Sequence, residues 1–164
     1  MINAQKGAAG VLLQPFTLTA SGTTSQAFLD CKGFRYATID VFRGTMGTGG
    51  AKPTALSLSE CDSTSTSLFA DIVAFTGGTA TSATVGFVIP THVTTAGILV
   101  RFGVDLTKRK RYLMLNMTEG TATYYRIIGA IVNLTKEEQS CETTTTKAIT
   151  NYSYTTSFGV IALG

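Results

Sequence analysis

The side chains that could perform catalysis are few and scattered in this chain of 164 residues. A Ser-His-Asp or Cys-His site would depend on His92, the single histidine, which follows Pro90 at the end of a predicted strand. No serine stands in a nucleophile-elbow pattern. We therefore expect His92 to be an exposed loop residue, and we expect that the protein is not an enzyme.

The three cysteines offer little metal or redox chemistry. Their spacing provides no C-x-x-C clip for zinc, and their odd number argues against a disulfide framework. We expect buried free thiols, with one bridge as the alternative. The cysteines are Cys31, Cys61 and Cys141.

Two other segments suggest ligand sites that fail in detail. Glu60, Asp62 and Asp71 could hold Ca²⁺ through carboxylate oxygens, but solvated carboxylates at a strand end are the favoured interpretation. The glycine-rich loop Gly44–Pro53 suggests a phosphate loop, yet Gly50 stands where lysine is required. We interpret it as a flexible hairpin loop, and we expect no metal and no cofactor.

A run of four basic residues lies at a predicted turn between two strands. Such a run is typical of contact with nucleic acid or with an acidic protein surface. The net charge of +3 and the pI near 8.8 are mild, and no aromatic-rich single-strand-binding motif accompanies the run. We therefore favour protein over nucleic acid. The candidate protein-contact residues are Lys108, Arg109, Lys110 and Arg111, with Tyr152, Tyr154 and Phe158 of the tail.

The composition favours a β protein with a weakly charged surface. Charged residues make up 14% of the chain, and threonine, serine and glycine take their place. Threonine is β-branched and prefers a pleated surface to a helix. The N-terminal segment Met1–Gly7 does not resemble a signal peptide, and no apolar stretch is long enough to span a membrane. We expect a soluble protein.

Short strands separated by turn residues position these side chains. Glycine or Ser/Thr clusters recur about every ten residues, and no long window has helical periodicity. Leu68–Phe75 is either a strand or a short helical turn. The other predicted strands are Val11–Thr19, Ser25–Asp30, Phe34–Arg43, Ala55–Asp62, Ala83–Ile89, Ile98–Leu106, Lys110–Thr118 and Thr123–Thr135.

These strands predict an all-β fold in one domain. Phe34–Arg43 carries apolar residues on both faces, so we place it at the centre of a sheet, and Ile98–Leu106 has the clearest two-residue alternation. Two layers of antiparallel strands form a β-sandwich, with a jelly roll as the favoured arrangement. We divide the chain into an N-terminal arm (1–13), a sandwich (14–140) and a C-terminal arm or last strand (141–164).

Three segments resemble the central strands of small head proteins of tailed bacteriophages: Gly33–Val41, Ala55–Asp62 and Phe102–Leu113. Some of these small β proteins are capsid decoration, or cement, proteins. The resemblance implies a homo-oligomer (dimer or trimer) that binds the major capsid protein in the virion and is assembled in the host cytoplasm. The terminal arms and the loops Gly44–Pro53 and Thr76–Ser82 are the expected contacts.

Two alternatives remain. One is a phage tail or head-completion component. The other is a carbohydrate-binding β-sandwich module, which would need aromatic platforms in a chain without tryptophan. The candidate platform residues are Tyr112, Tyr124, Tyr125, Tyr152 and Tyr154.

Overall fold

The computed structural model describes residues 7–18, 24–44, 53–89, 98–119, 126–136 and 157–163, and only the backbone of 16–18, 98, 126–127 and 157–163. In these ranges the chain forms ten strands and two short 3-10 helices. The strands are β1 (Gly7–Leu18), β2 (Thr24–Asp30), β3 (Tyr36–Arg43), β4 (Pro53–Cys61), β5 (Ala70–Gly78), β6 (Phe87–Val88), β7 (Ile98–Asp105), β8 (Tyr112–Glu119), β9 (Arg126–Thr135) and β10 (Ser157–Leu163). The 3-10 helices are η1 (Thr66–Leu68) and η2 (Leu106–Lys108).

Two sheets pack face to face, which confirms the predicted β-sandwich. Sheet A has the strand order β1-β9-β3-β7-β10, and sheet B has the order β2-β8-β4-β5-β6. Pairing is antiparallel except for β7 with β10 and β5 with β6, which are parallel. A jelly roll stays a prediction, because these parallel pairs depart from its antiparallel pattern.

The strand with two apolar faces is central, as predicted. β3 is third of the five strands of sheet A and pairs with β9 on one side and β7 on the other. Its residues Ile39 and Val41 are buried between the sheets. On the outer face the Phe42 ring lies over Gly129, where an added Cβ would come within 2.3 Å of the ring. A side chain at position 129 would therefore require the Phe42 ring to move aside.

Aromatic rings from both sheets meet in the core. Phe102 of sheet A makes edge-on contacts with Phe75 and Phe87 of sheet B, with ring centroids 5.9 and 5.8 Å apart. Leu58 and Leu115 of sheet B are fully buried beside them. Edge-to-face pairs add about 0.5–1.5 kcal/mol to the burial of their apolar area. This cluster holds the two sheets together.

The segment 68–89 differs in detail from the predicted strands. Leu68–Phe75 contains both expected forms, since η1 ends at Leu68 and β5 begins at Ala70. The register of β5 against β4 shifts, and the Thr76 hydroxyl donates to the Ile72 carbonyl at 3.0 Å. The predicted strand Ala83–Ile89 is shortened to the two residues of β6. The reason is a tight turn, in which Ser82 and Val85 pair as an isolated bridge.

Both ends of the described chain pair within the sandwich. Residues 7–13 belong to the predicted N-terminal arm, and they hydrogen-bond to β9 as the first half of β1. Near the C-terminus, residues 157–163 form β10 along β7. The side chains of β10 lie outside the described part of the structure.

A buried ion pair joins the two sheets at the ends of β3 and β8. Arg43 donates through Nε and Nη2 to the two carboxylate oxygens of Glu119, at 2.9 and 2.7 Å. The side chains are 4% and 2% exposed. A paired, bidentate geometry compensates the large cost of removing both charges from water.

Replacing Glu119 by alanine is expected to lower the free energy of unfolding by about 3–5 kcal/mol, because the buried guanidinium loses this carboxylate. Chemical denaturation followed by circular dichroism measures the change. Lys108→Ala, at an exposed position, is the control and should change stability by about 0.5 kcal/mol or less. A loss in Glu119→Ala no larger than that of the control would contradict the structural role of the pair.

Candidate protein-contact surface

The predicted basic run lies between two strands, as expected. Lys108 is the last residue of η2, and the next three residues lead into β8. Asp105 is the N-cap of η2, and its carboxylate accepts hydrogen bonds from the Thr107 amide and hydroxyl at 2.9 and 2.6 Å. This local capping holds the start of the basic run in one conformation.

Arg111 of the run is held by an acidic partner on the neighbouring strand. Its guanidinium donates to both carboxylate oxygens of Asp30 at 3.0 and 2.6 Å, and it lies 4.7 Å from the Tyr112 ring centroid. The hydrogen bond from Arg111, with a second from the Lys32 amide, lowers the pKa of Asp30 to about 2. The same hydrogen bond raises the pKa of Arg111. Arg111, Tyr112 and Asp30 form one ordered surface unit.

Arg109 also points to a partner in sheet B. One of its guanidinium nitrogens lies 3.8 Å from a carboxylate oxygen of Glu60, and its guanidinium carbon lies 5.8 Å from the Phe75 ring centroid. The backbone amides of Lys110 and Arg111 donate to Glu60 and Asp62. Backbone and side chain together fasten the basic run to the end of β4.

The corner of the sandwich around the run is therefore balanced in charge. Asp30, Glu60 and Asp62 contact three of the four basic residues through a side chain or a backbone amide. The charges of Lys108 and Arg109 help to lower the pKa of Asp105, after the hydrogen bonds from Thr107. The side chains of Lys108 and Lys110 are exposed and form no ion pair with any described residue. The structure thus does not produce the unopposed positive patch that the sequence suggests.

Exposed aromatic and aliphatic side chains lie beside this corner on the outer face of sheet B. Phe28 and Phe69 make an edge-on contact with ring centroids 5.7 Å apart. Phe28 is 49% exposed, and Leu68 at the end of η1 is 59% exposed. We call Phe28, Leu68 and Phe69 the aromatic patch. Large apolar side chains grouped in this way on a surface are typical of protein contacts.

A row of hydrogen bonds across four strands stiffens the sheet next to the aromatic patch. Gln26 donates to Asn116 at 3.0 Å, and Asn116 donates to Ser59 at 2.8 Å. Ser59 then donates to Asp71 at 2.5 Å. The row links β2, β8, β4 and β5, so the outer face of sheet B is an ordered platform.

The outer face of sheet A is also partly apolar. Val11 and Ile131 lie opposite each other on β1 and β9 and are exposed. Asp40 of β3 is the next residue across the sheet from Ile131, and Arg101 of β7 follows it. Arg101 donates to both carboxylate oxygens of the buried Asp40 at 2.6 and 2.8 Å. This face lacks the aromatic pair of sheet B among the residues that the structure describes.

The suggested metal and nucleophile sites do not come together in the described ranges. Glu60 and Asp62 accept hydrogen bonds from the basic run, and Asp71 accepts them from serine hydroxyls. No group of three His, Cys, Asp or Glu side chains there could hold a metal ion. His92 and the loop residues 45–52 lie outside the described residues.

Two of the three cysteines are buried free thiols, as predicted. Cys31 and Cys61 are unbridged, and burial raises the pKa of Cys31 to about 12. A thiol with so high a pKa is protonated at neutral pH and is a poor nucleophile. Cys141 lies outside the described residues.

The aromatic members of the predicted contact set are only partly placed. Tyr152 and Tyr154 lie outside the described residues. Phe158 lies on β10, with its backbone paired to Leu99, and its side chain is not described. Of the expected contact loops, Thr76–Ser82 begins as the last residues of β5.

The aromatic patch was missed by sequence reasoning. The signal was present in β2, where Phe28 interrupts a face otherwise made of Thr24, Gln26 and Asp30. An isolated phenylalanine on a polar face indicates an exposed apolar side chain. Its contact with Phe69 could not be predicted, because the pairing depends on how η1 folds over the sheet.

Comparisons with known proteins do not identify the chain. No protein-family model and no curated protein matches it. A solved structure of infectious bursal disease virus, strain Gx, is similar with a TM-score of 0.45 and 9% identity. The match covers 79% of this chain and 32% of that one, so the chain spans about a third of its length. A match this distant bears on neither fold nor function. Within the described ranges, no helix has the length and apolarity needed to span a membrane.

The Asp30–Arg111 pair should be visible in an acid titration. We expect the Asp30 carboxyl carbon to titrate in NMR spectra with a midpoint of about 2, and Arg111→Gln to raise that midpoint towards 3.8. The folded pKa is below the unfolded one, so the pair stabilises the fold above about pH 4. That stabilisation is lost as the pH falls through about 2. An unchanged midpoint in Arg111→Gln would show that Arg111 is not the cause.

Proposed function

We propose that this chain is a non-enzymatic structural protein of a virion, and that it binds the major capsid protein as a decoration, or cement, protein. It joins the shell after assembly in the host cytoplasm and stabilises contacts between shell subunits. The observation that carries the proposal is the aromatic patch beside the Arg111–Tyr112 pair on a stiff sheet.

The chemistry of this surface suits a protein partner. Aromatic residues and arginine are enriched at the centres of protein interfaces and contribute much of the binding energy. Phe28 and Phe69 supply apolar area, and Arg111 is already oriented by Asp30. Side chains that are ordered before binding lose less conformational entropy when a partner arrives.

The neutralised corner argues against nucleic acid as the partner. Binding to nucleic acid draws most of its free energy from free basic groups that replace counterions on phosphates. Here Arg109 and Arg111 are engaged by Glu60 and Asp30. Two exposed lysines remain, and the acidic residues around them oppose an approaching phosphate backbone.

A carbohydrate-binding role is also disfavoured by the geometry. Sugar rings stack on open aromatic faces, whereas the ring of Tyr112 is covered by the Arg111 guanidinium. The other candidate platform tyrosines lie outside the described residues. Phe28 and Phe69 pack edge-on, which does not present one flat platform.

The segments that resemble phage head proteins occupy interior strands. Gly33–Val41 contributes most of β3, and Ala55–Asp62 contributes most of β4, each the middle strand of its sheet. Phe102–Leu113 runs from β7 through the basic run into β8. The resemblance therefore covers the framework of the sandwich and the corner next to the aromatic patch.

Leu68→Ser is expected to weaken binding to capsids of the source phage by tenfold or more, because truncating a central apolar contact costs about 2 kcal/mol. Co-sedimentation of the purified protein with expanded capsids that lack it measures the affinity. Val11→Ser is the matched control, since both side chains are 59% exposed but Val11 lies on sheet A.

The outcomes of this experiment test separately whether the aromatic patch is the contact and whether the protein is a decoration protein. Equal binding by the two variants would show that the aromatic patch is not the contact. Absence of binding by the wild-type protein would contradict the decoration role itself. If the wild-type protein instead formed closed rings without capsids, the role of a tail or head-completion component would replace the decoration role.

A further inference from the structure

The β2 strand has an open edge that differs from the other sheet edges. Within the described ranges, the edge strands are β1 and β10 in sheet A and β2 and β6 in sheet B. β1 contains Pro15 and two register shifts, and β6 is two residues long. β10 has a shift between Ile161 and Leu163. β2 pairs with β8 over seven consecutive residues without a shift.

The backbone groups on the open side of β2 can be assigned. The amide of Cys31 donates to the Arg111 carbonyl at 2.9 Å, which continues the β2–β8 ladder by one residue. Because the groups of an antiparallel strand alternate in direction, Leu29, Ala27 and Ser25 also face β8. The amides and carbonyls of the alternate residues face away from the sheet. These residues are Thr24, Gln26, Phe28 and Asp30.

The sequence of β2 lacks the features that usually protect an edge strand. Natural edges are blocked by proline, lysine, bulges or inward-pointing charges. β2 contains neither proline nor lysine, and its one charge, Asp30, is bound by Arg111. No described backbone group hydrogen-bonds to its open side. Such an edge is a template for another strand.

We propose that the open edge of β2 pairs antiparallel with β2 of a second copy of this chain, about a two-fold axis at Ala27. In this register Thr24 lies opposite Asp30 of the second copy, and Gln26 lies opposite Phe28. All outward groups are then paired, with about eight hydrogen bonds across the axis. A typical interface has a similar number of direct hydrogen bonds.

The side chains of β2 fit this symmetric register. Ala27 faces its own copy at a pair without backbone hydrogen bonds, where the two strands lie closest and a small side chain fits. Asp30 faces threonine, so no like charges are opposed. Phe28 of one copy lies opposite Gln26 of the other, beside its side-chain amide. The aromatic rings of the two copies then lie on one continuous face. A foreign strand would need a sequence that complements β2, whereas a second copy provides it by symmetry.

The inference goes beyond capsid binding and is tested without capsids. Gln26→Pro removes an outward amide and leaves the ladder with β8 intact, because that amide does not face β8. Gln26→Ala is the matched control: it removes the same side chain but keeps the amide. Light scattering after size-exclusion chromatography measures the mass of each variant over a range of concentrations.

We expect the wild-type protein and Gln26→Ala to form dimers, and Gln26→Pro to dissociate at least tenfold more readily. Hydrogen exchange supplies a test that needs no variant: the amides of Gln26 and Phe28 should become less protected on dilution. A wild-type monomer at all concentrations would overturn the proposal. A dimer that Gln26→Pro leaves unchanged would overturn it as well.

Discussion

The sandwich depends on the contact that Phe102 makes across the two sheets. Its ring packs edge-on against Phe75 and Phe87 of the facing sheet. The chain moves from one sheet to the other at most of its connections, so neighbouring strands are distant in sequence. A slip of one residue in any strand would turn its inner side chains towards water. The shared aromatic core therefore sets the register of both sheets at once.

This constraint leaves the outer faces and edges free to serve binding. On sheet B, the hydrogen-bonded row from Gln26 to Asp71 fixes side chains that the core does not require. The contact of Phe28 with Phe69 lies on the same face and ties the residue after η1 to β2. A surface fixed in advance by its own sheet binds with a small loss of entropy, and this is the physical basis for proposing the contact on sheet B.

The sequence was sufficient for features that depend on local alternation. Two apolar faces placed β3 at the centre of a sheet, and turn residues placed the basic run between β7 and β8. Features that join distant residues could not be predicted. Arg111 and Asp30 are 81 residues apart, and Arg43 and Glu119 are 76 apart. Alternation also failed in Ala83–Ile89, where a tight turn replaced most of the strand.

The use of charge in this chain determines how it can meet a partner. Within the described ranges four ion pairs hold eight charged side chains, among them Arg43 with Glu119, Arg101 with Asp40 and Arg111 with Asp30. Paired charges produce a weak field at a distance, so long-range attraction contributes little to association. Recognition must then come from contact, through apolar side chains and backbone hydrogen bonds. Binding of this kind depends little on salt and is controlled by the rate of dissociation. The proposed decoration role would need a slow dissociation rate more than a fast encounter.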